Sequence, residues 1–140
     1  MLRCNLTEPK LYQSLAEFRH QIRRFLAYSE RAARAEGLEP QQHQFLLAIK
    51  GLPPGATPTV KEIAARLEIR PNTALELAHR MEAGGLITRR VNREDRREVL
   101  LSLTRSGEAS LKRLSLAHRA ELRELGPELM RALKKVLKQS

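Results

Sequence analysis

A chain of 140 residues and 16.0 kDa can hold one domain with its own core, or a small module with helical extensions, but not two independent domains. It is globular in composition, 41% hydrophobic and 30% charged, and its net charge of +10 and pI near 10.6 call for a polyanionic partner: nucleic acid first, an anionic membrane second. The single cysteine, Cys4, excludes an intrachain disulfide framework and a multi-cysteine zinc site, and suits a reducing compartment.

The first residues, MLRCNLTEPK, contain no apolar signal core, and no stretch approaches the ~18 consecutive apolar residues of a spanning helix. A soluble, cytoplasmic protein is expected. From Leu11 the residues Leu11, Leu15, Phe18, Ile22 and Phe25 recur at spacings of 4 and 3, which predicts one apolar stripe of a long helix ended by Gly37. Cys4 precedes its expected start. Glu39-Pro40 opens a second helix with Phe45, Leu46 and Ile49 on its apolar side, and the breakers GLPPGATP (51–58) follow as a loop.

Thr59 and Glu62 form the capping-box pattern of a short third helix that buries Ile63, Ala64 and Leu67. Glu68-Ile69-Arg70 is a tight connection to a fourth helix, opened by Pro71 and ended by Gly84-Gly85, with Ala74, Leu77, Ala78 and Met81 on its buried face. Two short helices joined by a tight turn predict a helix-turn-helix. Its second helix turns Asn72, Thr73, Leu75, Glu76, His79 and Arg80 outward; with Arg70 at its start, this face carries side chains that can read base edges in a major groove.

Leu86 to Val91 is compatible with a strand, and Val99, Leu101 and Leu103 alternate with Leu100, Ser102 and Thr104 as in a half-buried one. The intervening residues complete the run RRVNREDRR (89–97), five arginines beside two acids, at the base and tip of a hairpin. Directly after a helix-turn-helix, such a hairpin is a wing. Its arginines suit the A·T minor groove, and Asp95 serves best by bracing a guanidinium in a bidentate pair. A charged tip that merely protects a sheet edge is the alternative. Global charge does not locate this site, because residues 61–100 carry nine basic and seven acidic groups, a balance of only +2.

Thr104 caps a further helix with Leu111, Leu114, His118, Leu122 and Leu125 on one stripe, Gly126-Pro127 breaks it, and a last helix carries Leu129, Leu133, Val136 and Leu137. The terminal helices present more apolar surface than a small winged domain covers, so pairing with a second copy is expected, through Leu11, Leu15, Phe18, Ile22, Leu129, Leu133 and Val136. Catalysis finds no nucleophile, acid-base or phosphate-loop pattern, and the four histidines make no metal motif; neither an enzyme nor a cofactor is expected. His118 reads as a packed or interface histidine.

The stretch from Thr59 to Gly107, TVKEIAARL, RPNTALELAHRMEAGGLITRR and EDRREVLLSLTRSG, resembles the MarR family of bacterial transcription regulators. The D-x-R of the wing falls on Asp95-Arg96-Arg97, and the following L-T-x-x-G on Leu103, Thr104 and Gly107. The resemblance implies a mainly α protein with a small β-wing: a winged helix-turn-helix over residues 38–104, flanked by helical dimerisation regions at 1–37 and 105–140. It implies an obligate homodimer of six-helix subunits that binds double-stranded DNA at a pseudo-palindrome. Arg97 would enter the minor groove with Asp95 as its support and Arg93 and Arg96 beside it. The resemblance also implies frequent, though not universal, release from DNA by small amphipathic effectors bound between the dimer region and the winged domain. Two departures are visible: Arg70 stands where a Ser or Asp cap is usual, and Leu75 and Glu76 make the reading face less basic. Two alternatives remain open, a winged-helix protein-interaction module and a thiol-sensing regulator that uses Cys4.

Overall fold

The computed structural model describes residues 2–138, with side chains from residue 9 onward. Its elements, in chain order, are α1 (Leu2–Ala35), α2 (Pro40–Lys50), α3 (Val60–Leu67), α4 (Pro71–Ala83), β1 (Ile87–Val91), β2 (Val99–Leu103) and α5 (Arg105–Lys138). They divide into two compact units, Ala33–Leu114 and the paired ends Met1–Ala32 with Ser115–Ser140, whose boundaries fall inside α1 and α5.

In the unit Ala33–Leu114, Phe45, Leu46, Ile63, Met81, Ile87 and Leu101 are fully buried, one or two from each of α2, α3, α4, β1 and β2. Each such side chain contributes ~1.5–3 kcal/mol on removal from water, so every element of the winged domain is held by at least one core anchor. The α4 face of Ala74, Leu77, Ala78 and Met81 is buried as its spacing predicts. Thr59 caps α3, its Oγ1 accepting from the Glu62 backbone at 3.0 Å, while the Glu62 carboxylate accepts from Arg66 at 3.2 Å. Glu68 ends α3 in the left-handed region (φ 54°) and lets the chain turn at once into α4.

The wing is one antiparallel pair, in register from Ile87 opposite Leu103 to Val91 opposite Val99. The sequence reading missed its third rung. The Leu101 amide donates to the Pro58 carbonyl at 2.8 Å, and Thr59 bridges Leu100, so the end of the 51–58 loop is stitched to β2. A proline can take this place because it supplies only the acceptor.

In the other unit, Leu125 and Ala132 are buried together with Ser14, Gln21 and Ser29. The Tyr28 hydroxyl donates to the Ala117 carbonyl at 3.2 Å, and His118 Nε2 lies 2.8 Å from Ser29 Oγ, with the Phe25 and Tyr28 rings edge-on to it. His118 is thus a packed histidine.

Two expectations are corrected. Gly126-Pro127 does not break the last helix: α5 runs unbroken through Pro127 to Lys138, giving five helices among the described residues instead of six. A proline within a helix removes one backbone hydrogen bond and crowds one carbonyl, while the buried Leu125 and Ala132 on either side retain a common packing face. Likewise α1 starts at Leu2 and contains Pro9, so Cys4 lies within the first helix rather than before it. The Cys4 side chain is outside the described residues.

Candidate nucleic-acid interface

The N-terminal part of α4 faces the wing across a groove of about 510 Å³ within the winged unit. Asn72 and Leu75 of α4, Lys61 at the start of α3, and Asp95, Arg97 and Glu98 of the wing share its lining. The helix-turn-helix and the wing, some twenty residues apart in sequence, therefore meet on one concave surface. The link is the core: α3 and α4 are joined by the tight turn, and β2 is tied to the residue that caps α3.

Along α4 the expected outward face divides. Asn72, Thr73, Glu76, His79 and Arg80 are exposed, whereas Leu75 is half-buried and forms part of the groove. Arg70 occupies the N-cap in an extended conformation and makes no side-chain capping bond, so the first turn of α4 gains no acceptor from its cap side chain.

The wing loop is built by its own short side chains. Asn92 Oδ1 accepts from the Glu94 amide at 3.0 Å, and Asn92 Nδ2 donates to Glu98 at 2.9 Å. Asp95 Oδ1 accepts from the Arg97 amide at 3.1 Å, and its two oxygens take Arg97 Nε at 3.1 Å and an Arg97 terminal nitrogen at 3.3 Å. The guanidinium is held in two places while the arginine side chain remains 91% exposed. It is oriented without being covered. The side-chain hydrogen bond from Arg97, and then the Arg97 amide, hold the Asp95 carboxyl below its ordinary range. Arg93 and Arg96 are exposed on the same loop.

The five arginines of 89–97 are not equivalent. Arg89 turns back onto α4: its Nε lies 3.1 Å from Glu82 Oε1, its amide 3.2 Å from Glu82 Oε2, and its side chain is only 22% exposed. The Arg89 side-chain hydrogen bond, ahead of an opposing desolvation, lowers the Glu82 carboxyl from its usual range. A terminal Arg89 nitrogen also lies 3.3 Å from His79 Nε2. Sequence reading missed Lys61, Glu98 and the Glu82–Arg89 pair. Lys61 could have been flagged as a basic residue within the capped first turn of α3; Glu82 and Arg89 are separated by the Gly84-Gly85 turn, which no periodicity crosses.

The residues expected to pair two copies lie on α1 and α5. Leu11, Phe18, Ile22, Leu129 and Val136 are half-buried, and Leu15 and Leu133 are 39% and 40% exposed. Tyr12, Leu26, Leu116, Leu122, Met130 and Leu137 of the same two helices are exposed as well. Among the described residues no cluster of three or more His, Cys, Asp or Glu could hold a metal ion, and no helix is long and apolar enough to cross a membrane.

Residues 36–98 match the sequence profile of the MarR family. The chain is 33% identical over 85 residues to the HTH-type transcriptional repressor MdtR of Bacillus subtilis (strain 168), a match covering 61% of this chain and 53% of the relative. It therefore spans about half the length of that curated relative. Among solved structures, a MarR family transcription regulator superposes with a TM-score of 0.72 at 23% identity, covering 95% of this chain and 96% of the other. The M. tuberculosis transcriptional regulator MOSR in complex with DNA superposes at 0.62 and 24% identity, over 84% and 88% of the two chains. These likenesses establish the winged-helix fold with its small two-stranded sheet.

Proposed function

We propose that this chain is a MarR-family transcription regulator that binds double-stranded DNA in a sequence-specific manner, as a homodimer on a pseudo-palindromic operator, and acts as a repressor. The observation that carries the reading is the shared groove: the start of α4 and the braced Arg97 of the wing border the same concave surface. A helix of this kind fits a major groove, and a rigid ribbon bearing an exposed arginine fits the adjacent minor groove. In this reading Asn72, Thr73, Glu76, His79 and Arg80 face base edges, Arg70 and Leu75 flank them, and Arg93, Arg96 and Arg97 of the wing approach the backbone and minor groove with Asp95 as brace.

Pairing of two copies through the α1 and α5 stripes sets two such helices on one duplex, which demands inverted half-sites about one helical turn apart. Selection of bound duplexes from a random pool tests the proposal. Two inverted half-sites at that spacing support it; retention of all sequences alike, or a salt-insensitive association, would favour a protein-interaction module, because true phosphate contacts release counterions. The repressor assignment is tested by transcription from a promoter carrying the selected site. Release by small amphipathic effectors belongs to the same reading and is tested by adding such compounds to the complex.

A further inference from the structure

His79 lies on the exposed face of α4, on the stripe that also carries Asn72 and Glu76, and its ring is fixed from an unexpected direction. The donor to its Nε2 is Arg89, at 3.3 Å, on the neighbouring strand β1. Arg89 is itself immobilised. Glu82, one turn further along α4, takes its Nε and its backbone amide, and an ion-pair distance of 3.0 Å joins Glu82 Oε1 to a terminal Arg89 nitrogen. Arginine has five N–H donors and no acceptor, and it does not lose its proton in proteins. A nitrogen facing it must therefore be the acceptor of the neutral imidazole, and the ring proton must sit on the other nitrogen.

We propose that the Glu82–Arg89 pair holds His79 as the Nδ1–H tautomer, making it a one-way hydrogen-bond donor on the reading face, and that this donor selects guanine in the major groove. The base contact rests on the DNA-binding reading above; the tautomer does not. Guanine follows from the groove edges. It presents two adjacent acceptors, N7 and O6, whereas cytosine presents only an amino donor, adenine sets an amino donor beside its N7, and thymine flanks its O4 with a methyl group. A ring whose free edge offers Nδ1–H and the weakly positive Cε1–H is complementary only to the first. Arg89 and Glu82 are positioning residues: they touch the histidine, and the histidine touches the base.

Two measurements on the full chain test this. Long-range 1H–15N correlation at pH 8, with the His79 signals identified by their loss in His79→Gln, reads the tautomer directly. The Nδ1–H form is expected in the wild type, with a shift towards Nε2–H in Arg89→Met; an Nε2–H wild type overturns the inference. Selection from a random duplex pool reads the base. The wild type should enrich guanine at one position of each half-site, and His79→Leu, which alters only an exposed side chain, should reduce that preference about tenfold while leaving the other positions intact. Arg89→Met should weaken the same position, and His79→Asn, which retains a donor close to Nδ1, should restore part of it. A wild-type motif that survives both His79→Leu and Arg89→Met unchanged overturns this inference alone. A wild type that enriches no motif overturns the DNA-binding reading and the base contact with it, while the spectrum still decides the tautomer.

Discussion

Gly107, in the first turn of α5, is pressed against the backbone carbonyl of Leu86, so closely that a Cβ on Gly107 would collide with that oxygen. Thr104 ties the same junction from beside it: its hydroxyl is 2.6 Å from the Gly85 carbonyl and 3.1 Å from that of Leu86, and it accepts from the Gly107 amide at 3.0 Å. The Leu103, Thr104, Gly107 pattern is thus a joint between the end of α4, the end of the wing and the start of α5. Gly107→Ala forces backbone rather than a flexible side chain to move, so a loss of about 1–3 kcal/mol is expected in denaturant unfolding. A Ser106→Ala control, at an exposed neighbour, should change stability by less than about 0.5 kcal/mol.

The Asp95–Arg97 clamp has a definite pH signature. Because the folded-state carboxyl is held below its unfolded value, the contribution is complete above the ordinary carboxylate range, near ~3.9, and is lost as pH falls through the lower folded value. An NMR titration of the Asp95 carboxyl should give a midpoint below ~3.9 that rises in Arg97→Ala. Neutral-pH binding is the second readout. Asp95→Ala should weaken DNA binding severalfold although it removes a negative charge, whereas a purely electrostatic role predicts tighter binding.

Arg93 and Arg97 should differ in kind. Both are exposed on the wing, but only Arg97 is held by Asp95 on the groove that α4 borders. Arg93→Ala should weaken all duplexes alike and lower the salt slope by about one unit. Arg97→Ala should in addition lose preference for A·T-rich flanks. Titrations against specific and random duplexes at several salt concentrations separate the two, and identical behaviour would reduce the wing to a generic basic patch.

Gly126 sits inside α5 with nothing within 4 Å of the position a Cβ would take. Gly126→Ala should therefore stabilise the chain by ~0.5–1 kcal/mol, through a smaller loss of backbone freedom on helix formation. An increase in thermal midpoint checks it. A decrease would mean that the passage of α5 through Pro127 depends on the freedom of this glycine.

The exposed apolar residues of α1 and α5 predict a stable pair of chains. Sedimentation equilibrium at micromolar concentration should report about twice the 16.0 kDa chain mass. Leu15→Asp combined with Leu133→Asp places charges on both stripes and should shift the equilibrium towards the single chain. A wild type that remains a folded monomer would remove this part of the proposal.

Local pattern determined much of this protein. The period of Ala74, Leu77, Ala78 and Met81, the cap at Thr59, the turn at 68–70 and the alternation from Val99 are short-range signals whose physical causes lie within one or two turns of chain, and they predict the helix-turn-helix and the wing. The bidentate role of Asp95 is equally local, because its partner is two residues away. Tertiary structure decided the rest. Whether Gly126-Pro127 ends a helix depends on packing either side of it, which overrides propensity, and here α5 continues. The attachment of Pro58 to β2 and the turn of Arg89 away from its neighbouring arginines to Glu82 and His79 join residues that no periodicity relates. Five arginines in one run look alike in sequence; what distinguishes Arg97 from Arg89 is which carboxylate the fold brings within hydrogen-bond reach and how much water remains around the guanidinium.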